Sequence, residues 1–181
     1  MSGIVAHHVV MITYAELRAT APDIADPIAA RLEKSVLGML GTIRRDGSPR
    51  VSPIEVAFHE GRLFVGMMPG STKSRDVERD PRISMVTALA DKDDLAGEGK
   101  LFGVAARVTD LELAERVLRQ HATDGGFDPE SIAGSPMYEI LLSGAAWQFV
   151  DGEAFVTRSW SEADGLRLRR RDGATAAVVD A

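Results

Sequence analysis

Short runs of alternating apolar and polar positions fill the middle of the chain, with tight turns between them. Residues 36–43 read as a strand that ends at the turn Asp46-Gly47, and residues 50–58 return as its partner. Glu60-Gly61 makes the next turn, and residues 62–68 form a third strand that Pro69-Gly70 breaks. A polar segment, Gly70-Ser71-Thr72-Lys73-Ser74-Arg75-Asp76, then opens a short helix. That helix runs to about Arg79, because Asp80 precedes a proline and is pushed out of helical geometry.

Residues 82–89 read as a fourth strand, residues 91–99 as an acidic loop, and residues 100–109 as a fifth strand. Asp110 caps a helix in which Leu111, Ala114, Val117, Leu118 and His121 share one side. Residues 123–136 read as a loop. A last hairpin pairs residues 147–150 with 154–157 across Asp151-Gly152. Ahead of the strands, Asp26-Pro27 resembles an N-cap followed by a proline at the first helical position. Short antiparallel strands with few helices predict a mainly β fold closed into a six-stranded split barrel, since closure removes exposed edges. The expected organisation is an N-terminal extension (1–26), a barrel domain (27–160) and a C-terminal tail (161–181) that is poorly ordered beyond Asp172.

With 181 residues, 45% of them hydrophobic, the chain can bury one substantial core. Its formal charge of −6 argues against a nucleic-acid partner, which needs a clustered cationic surplus. The basic run at residues 167–171 reads as a solvated tail or strand edge. The sequence contains no cysteine, which excludes disulfides, thiolate nucleophiles and Cys-ligated metals. The apolar stretch at residues 4–12 is too short to span a bilayer and lacks a basic leader, so a cytoplasmic protein without a membrane partner is expected.

No Gly-x-Ser-x-Gly elbow, His-Glu-x-x-His or phosphate-loop motif is present, and the histidines show no metal-ligand spacing. Ser71, Thr72 and Lys73 offer hydroxyls, a cation and helix-start amides, a set suited to an anion. Taken without its surroundings, the same triplet is better read as ordinary helix capping, and its place after a third antiparallel strand and a Pro-Gly break is what favours an anion. Arg50 fits a plain strand position, Ser52-Pro53 an edge or bulge, and Met67 and Met68 core filler of which alternation allows one to face a groove. Trp147 fits either packing within the last strand, the commoner role, or stacking near a bound ring from a partner subunit.

Taken together, Asp46-Gly47-Ser48-Pro49, Arg50-Val51-Ser52-Pro53, Ser71-Thr72-Lys73 and Asp80-Pro81-Arg82-Ile83-Ser84-Met85 resemble the pyridoxamine 5'-phosphate oxidase-like family of flavin-binding split barrels. The resemblance implies a homodimer with a cofactor groove between subunits, and an oxidoreductase passing hydride between FMN and a small conjugated substrate. It further implies that Ser71, Thr72 and Lys73 hold the cofactor phosphate, that Arg50, Val51, Ser52 and Pro53 run beneath the ring, and that Met67 and Met68 border it. Smaller relatives use the deazaflavin coenzyme F-420, and others bind haem without turnover. Two departures stand out. The arginine-rich ending of the vitamin-synthesis enzymes is missing after Trp147-Gln148, and Ser52 stands where those enzymes tend to place an arginine.

Overall fold

The computed structural model describes residues 10–87, 96–126, 128–173 and 179–180. Two helices open it. Thr13 and Glu16 form a reciprocal capping box at the start of α1 (Tyr14–Thr20), and α2 (Pro22–Ser35) follows after Ala21. The proline at the first position of α2 is therefore Pro22, and the expected start at Pro27 lies inside the helix. An interior proline costs about 3 kcal/mol. Full or near-full burial of Ile24, Ala25, Ile28, Ala29 and Leu32 on either side outweighs it. The boundary expected between residues 26 and 27 thus falls within a continuous helix, and both helices pack into the main core.

Helix α2 passes directly into β1 (Leu37–Ile43) through Val36, whose φ of 57° is left-handed. β2 (Pro49–His59), β3 (Arg62–Gly66), α3 (Thr72–Arg79) and β4 (Arg82–Thr87) follow much as the turns predict. The expected continuation of β4 to residue 89, and most of the 91–99 loop, lie outside the described residues. β5 (Glu98–Arg107) precedes α4 (Leu111–Gly125), which Asp110 caps as expected. The buried face of α4 differs from the expected one: Leu113, Val117, His121 and Ala122 face inward, and Leu111 is 81% exposed.

β6 (Met137–Asp151) is much longer than the expected last strand. It pairs with both β5 and β3, which closes the order β3-β2-β1-β4-β5-β6 into a six-stranded antiparallel barrel. The expected fold class is the one that forms. Gly103 marks a bulge in this closure: a Cβ there would lie 1.9 Å from the Leu141 carbonyl oxygen, so β5 and β6 could not meet with any other residue. Past the barrel, β6 carries an outer hairpin of β7 (Ala154–Ser161) and β8 (Gly165–Asp172), edged by the two-residue β9 (Val179–Asp180). Part of the expected tail is therefore a strand, although every residue of β8 is exposed. Leu40, Ile54, Met85, Leu101 and Ile140 fill the barrel, and Tyr14, Leu17 and Leu32 extend the same core beneath the helices. Among the described residues no helix is long and apolar enough to cross a membrane.

Candidate functional site

The corner after β3 is built by short-range rules. Gly70 adopts a φ of 65°, which lets the chain turn sharply after Pro69. Ser71 then caps α3, its hydroxyl accepting from the Ser74 amide at 3.3 Å. The amides of Thr72 and Lys73 are left without an acceptor among the described residues. Lys73 donates to the Pro53 carbonyl at 2.9 Å, which ties the start of α3 to β2. Burial pushes the Lys73 ammonium below its usual pKa, and the nearby Glu55 carboxylate opposes that shift.

A cavity of about 510 Å³ opens beside this corner. β2 supplies Pro53, Ile54 and Glu55, the end of β3 supplies Gly66, Met67 and Met68, and α4 supplies Leu118 and His121. Its walls are mostly apolar. Three ionisable groups converge on it: Lys73, Glu55, and His121, whose Nε2 lies 3.1 Å from the Glu55 carboxylate. An apolar concavity with a few converging polar groups is the usual form of a small-molecule site.

The structure divides the nine residues singled out in the sequence. Pro53, Met67, Met68, Ser71 and Lys73 line the cavity together. Both methionines reach it because β3 ends at Gly66, so strand alternation no longer governs them. Arg50 and Thr72 lie on the opposite flank of α3, in a second groove shared with Arg44, Arg45, Arg75 and Arg79. Val51 is 66% exposed, and Ser52 lies across the ladder from Leu40 of β1, its hydroxyl buried without a partner among the described residues. Neither of these two lines either of the cavities beside α3. Trp147 is buried in the core, as a packing role requires.

Asp76 anchors α3 from below. Its carboxylate accepts from Arg50 at 2.6 Å, Thr42 at 3.0 Å and Arg79 at 3.2 Å. Burial alone would raise its pKa, but these hydrogen bonds prevail and hold it below the ordinary carboxylate value. Sequence reasoning missed the Glu55–His121 pair and the Asp76 hub. The two residues of the first pair are 66 positions apart, and no local spacing signals the contact. Among the described residues no group of three or more His, Cys, Asp or Glu could hold a metal ion.

A closed six-stranded barrel with a pocket where its third strand turns into a helix defines the split-barrel class. The sequence model of the pyridoxamine 5'-phosphate oxidase family matches residues 24–151, and the chain belongs to that family. Solved structures share the fold. A conserved hypothetical protein of Mycobacterium tuberculosis is 24% identical, with a TM-score of 0.57 over 75% of this chain and 83% of its own. The haem storage protein HutZ of Vibrio cholerae is 18% identical, with a TM-score of 0.57 over 70% and 92%. A Clostridium acetobutylicum protein related to general stress protein 26, of the pyridoxinephosphate oxidase family, is 13% identical, with a TM-score of 0.56 over 75% and 92%.

Proposed function

We propose that the chain is a flavin-dependent oxidoreductase that binds FMN at the corner between β2, the end of β3, α3 and α4. The observation that carries this reading is one apolar cavity with a lysine and the free amides of a helix start at its edge. A planar ring suits the walls made by Pro53, Met67, Leu118 and Met137. An anionic tail suits the corner, where helix amides and Lys73 favour negative charge. Bound flavin would supply the hydride chemistry, and the protein position, shielding and electrostatics. Leu37 and Met68, both on the cavity lining, are 40% and 77% exposed. A second copy of the chain covering them would complete a groove for a small conjugated substrate.

The deazaflavin F-420 suits the same walls and is the alternative ring. Haem is a second reading, favoured by the fold shared with a haem storage protein. Haem iron needs an axial side chain, and the imidazole at the cavity is engaged with Glu55. Titration with FMN, F-420 and haemin, followed by visible spectra, separates the three. We expect a flavin band that a reduced nicotinamide bleaches and air restores; failure to bind either flavin or deazaflavin overturns the proposal. Lys73→Ala is expected to weaken FMN binding by about 1.5–3 kcal/mol, the range for one charged hydrogen bond. An unchanged Kd removes Lys73 from the site.

A further inference from the structure

Another cavity, of about 410 Å³, abuts the one beside the Ser71 corner. Leu118, Ser135 and Met137 line both, so a few side chains separate the two. The chain between α4 and β6 runs along that divide. Asp128 caps one turn of 3₁₀ helix (Pro129–Ile132), accepting from the Glu130 amide at 3.0 Å. At the far end of the segment the Pro136 carbonyl accepts from the Met67 amide at 3.1 Å, which ties it to the end of β3. Ser131 and Ile132 line the first cavity, and Ala133 and Gly134 line the second.

The second cavity has an apolar floor and a balanced rim. Val108, Ala114 and Leu118 line it while half-buried against a small core of Ala57, Phe64, Leu113, Val117 and Met137. Leu111, 81% exposed, also borders it. Two arginines and two glutamates complete the lining, and their charges cancel. Arg119 donates to Glu115 at 2.6 Å, and Glu130 attracts the same guanidinium. Arg107 lies over the Tyr138 ring, 5.5 Å from its centroid, and 3.8 Å from the Glu78 carboxylate. A charged ligand entering here would lose hydration without meeting an unmatched charge, whereas an uncharged one covers apolar surface that water now wets.

We infer that the second cavity holds the arm of an elongated, uncharged ligand, an aromatic ring with an apolar substituent, whose ring end lies in the first cavity. Small-molecule sites run from about 300 to 1,000 Å³, so either cavity alone suits a ring and the two together suit a ring with an extended arm. The divide suits such a ligand too, because an unbranched methionine side chain such as that of Met137 repacks readily around a guest. The inference rests on the proposed function in one respect: the ring end is the part of the substrate that meets the flavin, and the arm selects which rings are held there.

The test is titration of the full chain with 4-methylphenol, 4-butylphenol and 4-hexylphenol, all uncharged at neutral pH, read by displacement of the apolar dye N-phenyl-1-naphthylamine. Each methylene that enters an apolar site is worth up to about fourfold in affinity, so the hexyl compound is expected to bind at least about thirtyfold tighter than the methyl compound. Methyl NMR signals of Val108 and Leu111, which line the second cavity and not the first, should shift with the hexyl compound and stay in place with the methyl one. Ala114→Phe and Ala133→Trp fill the second cavity from opposite walls. Either should cut the hexyl advantage to a few-fold and leave 4-methylphenol binding unchanged; Ala133 is exposed, so its variant keeps the fold even where the helix variant does not. A hexyl chain ending in a carboxylate or an ammonium should bind more weakly than the plain chain.

An affinity that does not grow with chain length, a gain that survives both filling variants, or tighter binding of either charged end overturns the inference. So does a gain seen only in dilute, monomeric chain by light scattering, which would assign the second cavity to another copy of the protein. FMN binding, followed by its visible band in parallel samples, keeps the two claims apart. A flavin band without the chain-length gain sinks the arm and spares the flavin reading, and the reverse result spares the arm and sinks the flavin reading.

Discussion

The molecule has two arginine-rich regions that look alike in number and differ in every physical respect. On β8, Arg167, Arg169, Arg170 and Arg171 follow one another along a fully exposed strand. Alternation sends neighbours to opposite faces, and Arg167 and Arg170 are paired off with Asp164, Asp151 and Asp172. Beside α3, arginines from the turn after β1, from β2 and from α3 converge on one groove around a buried aspartate. Only the first region is a cluster in the sequence, and only the second is a cluster in space. Charge density that can hold a ligand comes from convergence of elements, and a run along one strand disperses it.

The sharpest way to break this comparison is to remove the centre of the second cluster. Asp76→Ala leaves Arg50 and Arg79 facing a buried void. The loss should be about 3 kcal/mol, at the lower end for a broken buried pair because Arg50 keeps a quarter of its side chain in water. Chemical denaturation measures it, and a loss near zero would mean that Asp76 does not organise the groove. Thr42→Val removes a single hydrogen bond to the same carboxylate and should cost about 1.5–3 kcal/mol by the same assay.

Acid offers a third handle. The folded pKa of Asp76 lies below its ordinary value of 3.8, so its stabilisation is fully present above that value. It is lost as pH falls from there through the depressed folded pKa. Asp76→Asn should therefore flatten the fall in Tm below about pH 4, and an identical acid profile in the variant would assign the effect elsewhere. The smallest effect belongs to the first region. Arg170→Ala removes two exposed ion pairs and should leave Tm unchanged within error, as expected for screened surface pairs. A clear drop would show that the outer hairpin is organised after all.

The legible parts of the chain were those governed by neighbours a few residues apart. Ser71 as a cap and Asp80-Pro81 as a stop bracket α3, and Asp46-Gly47 and Glu60-Gly61 define two hairpins. β6 was hard to see for the opposite reason. Its first four residues are all buried, so the alternation that betrays a half-exposed strand is missing there. Leu111 was misplaced because apolar character at the first turn of α4 was read as burial, whereas the inward stripe begins at Leu113. At the site, residues on one local corner came together as their order suggests. The sequence run Arg50-Val51-Ser52-Pro53 did not, because a strand presents successive side chains to opposite sides. Arg50 and Pro53 consequently serve different cavities.

The length of β6 gives the fold a division of labour. Its first half is held by β3 and β5 and bears Met137 on the cavity wall, while its second half is held by β5 and β7. Among the described residues after Ser161, β8 joins the sheet through its ladder with β7, and β9 edges it. The β7–β8 turn is thus a permissive place for insertion, trimming or fusion of a tag, since changes there leave the ladder around the pocket untouched.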